Sequence, residues 1–302
     1  MVNPATINNI KNFKKIQENA LLPTNDIIFH SLFGTIGNET ITKAFIEVIL
    51  KQEVQEINLD LNLNLIREHY DSKLGVLDVR AKTKTGVNYN IEMQNTSSET
   101  LPERILSYWS RLYTGDLKRG YDYNVLAKTI AILIVNDTID RFEIIKKYHT
   151  KWNIREEEYQ DIILTDDLEI HIIELPKYIQ MKKNKQCANV WLDFLLDPNG
   201  KEVLQAMENS KELKEAGDKW REITADEIMR DRALRLEIAE LDRNTALRNA
   251  ENKGYKKGMA TGFEQIVIRM FNQKISIEEI SKYTELDIEK VKDIIKKSNE
   301  KS

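Results

Sequence analysis

The chain has 302 residues, 41% of them hydrophobic and 31% charged, enough to bury a sizeable core beneath a charge-rich surface. Its formal net charge is −4, so no global basic field exists and any contact with nucleic acid must rest on local patches. The single cysteine, Cys187, excludes an intramolecular disulfide and a Cys-rich zinc site. The four histidines (His30, His69, His149, His171) lack H-x-x-x-H spacing, which argues against a zinc hydrolase.

Residues 1–22 read as a polar, Asn- and Lys-rich leader without the apolar centre of a signal peptide. The longest purely aliphatic run, 130–135, falls far short of a membrane span. A cytoplasmic protein with no membrane contact is expected. From Asp26 the pattern turns helical: Ile28 with Leu32 and Phe29 with Phe33 fall four apart, and Gly34 stops the run. Asp26 itself could serve as the N-cap before Ile27. A second helix is expected over 39–52, with Ile41, Ala44, Phe45, Val48 and Ile49 on one face. In 57–70 the leucines at 59, 61, 63 and 65 alternate with polar residues, which favours a strand.

Two clearer strands follow, over 76–82 and 87–94, joined by a turn that ends on Gly86. Odd positions (Leu77, Val79, Ala81; Val87, Tyr89, Ile91, Met93) are apolar. Even positions (Asp78, Arg80, Lys82; Asn88, Asn90, Glu92, Gln94) are polar. Any register that keeps the apolar residues together also puts Asp78, Glu92 and Gln94 on one face. Two carboxylates directly opposite on neighbouring strands, roughly 5 Å apart at Cβ, repel unless a positive charge sits between them. A Mg²⁺ ion suits them, because it takes one or two carboxylates together with waters and phosphate oxygens. The bland alternative for the same pattern is a hairpin whose polar side faces solvent.

Residues 100–119 return to helical spacing, with Ile105, Leu106, Trp109, Leu112 and Tyr113 as the apolar stripe. Arg104, Tyr108 and Arg111 share one face of that helix and suit phosphate contacts. Buried strands are expected at 128–136 and 168–175, and helices over 186–222. Helices alternating with strands favour an α/β layer structure. From 224 to about 257 the composition becomes a charge-dense helix, interrupted by Gly254, Gly258 and Gly262, with Lys253, Lys256 and Lys257 as a small basic cluster. Ser276 and Glu279 form a capping box, and Asp287 can cap the helix after it. Two short capped helices resemble a helix-turn-helix half. These shifts divide the chain into a leader (1–22), an α/β domain (23–223), a charged helical linker (224–262) and a small helical C-terminal unit (263–302).

The segment LDVRAKTKTGVNYNIEMQ (77–94) resembles the D…ExQ form of the PD-(D/E)XK nuclease motif. It is most similar to the PD-(D/E)XK nuclease family transposases, which include recombination-promoting nucleases of bacteria. The likeness extends in order over 24–297. It takes in Thr24 to Gly34, then Arg104, Tyr108, Arg111, Tyr113, Gly120 and Tyr121, then 173–177 and the glycine-spaced helix with its SIEEI segment. The resemblance implies a restriction-endonuclease-like fold, a mixed central sheet flanked by helices with a helical C-terminal extension. It implies Asp78 and Glu92 as ligands of Mg²⁺ or Mn²⁺, with Gln94 standing where many relatives carry a lysine. Asp26 is a further candidate acid, and Arg80, Lys82, Arg104 and Arg111 are candidate DNA contacts. The expected activity is metal-dependent DNA cleavage tied to recombination or a mobile element, with DNA as partner and a homodimer through the C-terminal helices. The alternative is a non-cleaving DNA-binding or oligomerising protein that keeps the nuclease fold.

Overall fold

Residues 16, 18–59, 79–115, 117 and 122–299 are described in the computed structural model of the chain. The expected leader lies mostly outside them. So do His69, Asp78, Gly120, Tyr121 and residues 60–70 of the strand expected over 57–70.

Helix α1 (Asp26–Phe33) is capped by Asn25, whose Oδ1 accepts from the Ile27 amide at 3.1 Å. The cap is therefore Asn25 and not Asp26, which becomes the first helical residue and is 6% exposed. Helix α2 (Glu39–Leu50) buries Ile41, Phe45, Ile46 and Ile49. Val48, expected on the buried face, is instead 38% exposed. Phe33 joins the two helices: its ring centroid lies 4.7 Å from those of both Phe29 and Phe45, and Phe45 lies 5.7 Å from Trp191.

The sheet has six strands: β1 (Ile57–Leu59), β2 (Val79–Thr83), β3 (Asn88–Gln94), β4 (Thr129–Val135), β5 (His149–Trp152) and β6 (Leu168–Glu174). Their order is β1-β2-β3-β4-β6-β5. Strands β3, β4 and β6 are parallel, while β1, β2 and β5 run antiparallel to their neighbours. The β2–β3 hairpin turns at Gly86, whose φ of 96° is unfavourable for residues with a Cβ and whose amide donates to Thr83 O at 3.0 Å. A mixed sheet flanked by helices is thus the architecture, as the alternation of elements and the resemblance both implied.

Register decides which side chains share a face. Tyr89 pairs with Ile130 and Ile130 with Glu169, so the odd residues of β3 join the even residues of β4. That face carries Val79, Ala81, Tyr89, Ile91, Met93, Ile130, Ile132 and Ile134 in one core with α1, α2 and the later helices. Those are α4 (Leu175–Lys183), α5 (Val190–Leu196), α6 (Lys201–Met207) and α7 (Lys211–Ala225), the crossover helix α3 (Leu101–Tyr113) lying elsewhere. The opposite face packs Ala131, Leu133, Val135, Leu168, Ile170 and Ile172 against Leu101 and Ile105 of α3. Each fully buried aliphatic or aromatic side chain contributes about 1.5–3 kcal/mol. The end of α3 is held by Trp109 Nε1 donating to Thr129 O at 2.8 Å and Tyr113 OH donating to Asp167 Oδ2 at 2.9 Å. Leu106, expected in its apolar stripe, is 49% exposed.

Because β3 has a neighbour on each side and helices over both faces, all seven of its residues are buried. The solvent-facing alternative for the hairpin is thereby excluded for β3.

Strand β5, which carries no alternation visible in the sequence, completes a buried polar network. His149 Nε2 lies 2.8 Å from His171 Nδ1, and His171 Nε2 lies 2.8 Å from Glu169 Oε1. Lys128 and Lys151 each approach Glu169 to 3.0 Å. The His171 hydrogen bond, followed by those from the two lysines, holds the Glu169 carboxyl far below the usual carboxylate range against its burial. Burial, reinforced by the neighbouring His171, pushes His149 down to about 4. A histidine whose folded pKa is depressed takes up protons more readily when unfolded. Its contribution is therefore present above roughly pH 6.5 and is lost as pH falls towards 4. We expect the melting temperature to drop between pH 6.5 and 4, and His149→Phe to flatten that drop by roughly 5 °C. Identical slopes for the two proteins would mean that folding does not depress the pKa of His149.

Two compact units divide the chain, 1–237 and 238–302. Helix α8 (Glu227–Asn272) has 46 residues and passes through Gly254, Gly258 and Gly262 without a break, a correction to the expected interruption. A Cβ at any of the three would meet nothing within 4 Å, so no packing demand singles them out as a break. Glycine costs about 1 kcal/mol per helical position, and the surrounding Ala, Arg, Lys and Glu residues favour helix strongly enough to carry the helix across. In the second unit α9 (Ile277–Thr284) starts on the full Ser276/Glu279 capping box. Val267, Ile280, Val291 and Ile295 form its core with α10 (Ile288–Asn299).

Candidate active site

Glu92 and Gln94 lie at the carboxyl end of β3, where the parallel strands open into loops. Ligands of open α/β sheets bind outside such ends. Glu92 is 3% exposed and Gln94 7%. Gln94 Nε2 donates to Glu92 Oε1 at 3.1 Å and to Met93 O at 3.0 Å. Its Oε1 accepts from Arg104 Nη2, whose guanidinium stands 3.9 Å from Glu92 Oε1. The amide is thus oriented by its partners, nitrogen to acceptors and oxygen to a donor.

Arg104 reaches this position because Leu101 and Ile105, 1% and 4% exposed, fix α3 on the same sheet face. The sequence placed Arg104 on a helix face for DNA. The fold sets it directly on the Glu92–Gln94 pair. Arg80 pairs with Asn90 and Lys82 with Asn88, so both cations share the Glu92 face, each partly exposed. Arg111 is exposed in the last turn of α3, and no described contact joins it to Glu92 or Gln94.

Two buried side-chain polar atoms lack a hydrogen-bond partner among the described residues, Asn90 Oδ1 and Arg104 Nε. Both belong to this site: Asn90 is two residues before Glu92 on the same face, and Arg104 covers it. Asn90 carries no alternation signal that separates it from an ordinary polar strand residue, and it was not among the expected site residues. Asp26 comes in from the start of α1, where Asn95 Nδ2 lies 3.5 Å from its Oδ1 and donates to Thr24 O at 3.0 Å. Asn95 directly follows Gln94, so the opening helix and the strand end are tied together. Asp26→Asn is expected to leave folding intact and to lower any cleavage by roughly tenfold, the small end of general acid–base effects. Unchanged single-turnover rates would reduce Asp26 to a loop anchor.

The Glu92 carboxylate, with the amide oxygen of Asn90 on the same face, offers oxygen donors, a type that suits Mg²⁺ or Mn²⁺ more than zinc. No group of three or more His, Cys, Asp or Glu side chains able to hold a metal occurs among the described residues. Asp78 lies outside them. The described half of the hairpin does state its register: Val79 pairs with Ile91. Asp78 precedes the first of these residues in sequence and Glu92 follows the second.

A mixed six-stranded sheet with a buried carboxylate at the end of a central strand, covered by an arginine-bearing helix, is an α/β architecture consistent with the PD-(D/E)XK fold. The family model of the PD-(D/E)XK nuclease family transposases matches residues 23–250. The chain belongs to that family. Searches of curated proteins and of solved structures each find no match. No described helix is long and apolar enough to cross a membrane.

Proposed function

We propose that the protein is a Mg²⁺- or Mn²⁺-dependent DNA endonuclease with Asp78, Glu92 and Gln94 as its active residues, serving recombination or a mobile element in the cytoplasm. The observation that carries this reading is the buried Glu92 carboxylate, held by Gln94 on a face that also presents Arg80 and Lys82. Asp78 and Glu92 would hold the ion, with waters and phosphate oxygens filling its remaining positions. When bound, such an ion supplies Lewis acidity towards a phosphodiester and makes water a better nucleophile.

The chain's own residues do the rest. Gln94 keeps Glu92 oriented through its amide and presents no charge of its own. Arg80 and Lys82 draw the DNA backbone onto the face, and Arg111 extends that contact along α3. The C-terminal helices are proposed to join two copies of the chain. The experiment is nicking of supercoiled plasmid by the full chain in Mg²⁺ and in EDTA. Conversion to open-circular DNA in Mg²⁺ alone supports the proposal, and equal inactivity in both contradicts it.

A second reading is a DNA-binding protein that keeps the fold without cleaving. The neutral Gln94 and the net charge of −4 favour it. Salt-dependent binding to duplex DNA without nicking is its expected signature.

A further inference from the structure

We infer that Arg104 is the cation of the active site that grips a DNA phosphate, brought from helix α3 to the place beside Glu92 that Gln94 leaves uncharged. This rests on the nuclease reading above and adds a residue that works with Gln94 as one unit.

Three observations carry it. First, the guanidinium meets Gln94 Oε1 and stands 3.9 Å from Glu92 Oε1, so it lies within reach of anything bound to that carboxylate's site. Second, its Nε is buried without a partner although the side chain as a whole is 31% exposed. An arginine that served only to pin Gln94 would be expected to pair that donor with a carbonyl or carboxylate, because an unpaired buried donor is costly. A planar fork with an unused donor next to a half-open face is suited to a tetrahedral phosphate. Third, Asn90 Oδ1 on the same face is also buried without a hydrogen-bond partner among the described residues, so a second polar atom of the Glu92 face has hydrogen-bonding capacity to spare.

Charge then assigns the roles. Glu92 is an acid, Gln94 is neutral, and the guanidinium is permanently charged. A phosphodiester approaching Glu92 needs a compensating cation, and Arg104, in contact with the Glu92–Gln94 pair, is placed to supply it. A lysine at position 94 would put an ammonium on the same spot. It would be redundant, and repelled, while Arg104 is present, and useful once Arg104 is gone.

The test compares wild type, Arg104→Met, Gln94→Lys and the double variant, each first checked for a normal melting transition. Single-turnover nicking in Mg²⁺ gives one readout, and the salt dependence of binding to a fluorescent duplex in EDTA gives the other. Arg104→Met should lose roughly 10²-fold in nicking and lower the slope of log affinity against log salt by about 1. Gln94→Lys alone should gain in neither. In the Arg104→Met background it should restore at least about tenfold in nicking and the lost unit of slope. A double variant no better than Arg104→Met, or an unchanged slope in Arg104→Met, overturns the inference and leaves Arg104 as a structural link. Should the wild type bind DNA but not nick it, the nuclease reading fails while a lost and restored slope still supports the phosphate assignment. If Arg104→Met does not fold, Arg104→Lys replaces it, keeping the charge without the fork. The Arg104→Lys protein is then compared with Arg104→Gln: a slope lower by about 1 in Arg104→Gln than in Arg104→Lys supports the inference, and equal slopes overturn it.

Discussion

Glu92→Gln is expected to abolish metal-dependent nicking, by at least about 10³-fold, while leaving the fold unchanged. The substitution is isosteric, and the new carbonyl oxygen can still accept from Gln94 Nε2, which lies 3.1 Å from Oε1 in the native chain. What disappears is the negative charge, and with it the hard anionic donor that a small divalent cation requires. Two measurements separate the effects. Calorimetric titration with Mn²⁺ should show affinity reduced by about tenfold or more, in line with losing a ligand or its close support. The melting temperature should stay within a few degrees of wild type, because a buried carboxylate near Arg104 is exchanged for a buried amide. Wild-type nicking by Glu92→Gln would remove Glu92 from the site altogether.

The second large effect is structural. Phe33→Ala should destabilise the first unit by about 3–5 kcal/mol, the range for truncating a buried aromatic residue. Phe33 has no exposed surface and contacts Phe29, Phe45 and Trp191, so its loss opens a cavity where α1, α2 and α5 meet. Helix α1 also delivers Asp26 to Asn95 at the strand end, where Thr24, just before the helix, accepts from Asn95. The variant should therefore lose nicking at temperatures where its far-ultraviolet dichroism is still native, as α1 loosens before the sheet does. Chemical denaturation gives the free energy. A loss below about 1 kcal/mol would mean that the aromatic cluster repacks around the gap.

Much of the fold is legible in local pattern because sheet faces and helix stripes are periodic. The odd–even alternation of 87–94 and the glycine at 86 specify the hairpin, and the observed pairing of Val79 with Ile91 keeps that parity. The continuous aliphatic run at 130–135 reads as a buried strand, and β4 is one. Burial of the polar face of β3 is not legible there. It follows from β4 pairing on the far side and α3 packing above, both tertiary events. Arg104 illustrates the same limit. Its helix face is readable from spacing, but its contact with Gln94, ten residues earlier, depends on how Leu101 and Ile105 seat the helix. His149 and His171 are 22 residues apart and meet only because β5 adds antiparallel to β6. Asp78 is a candidate acid through sequence alternation and family resemblance alone. Its place opposite Glu92 is part of the proposal.

That place is the point on which the proposed function turns, and plasmid nicking by wild type and Asp78→Ala side by side tests it most directly. Both proteins are incubated with supercoiled DNA in Mg²⁺ and in EDTA, after melting curves establish that both are folded. The account predicts open-circular DNA from the wild type in Mg²⁺ only, and none from Asp78→Ala in either condition. Equal nicking by the two proteins, or nicking that survives EDTA, would contradict it.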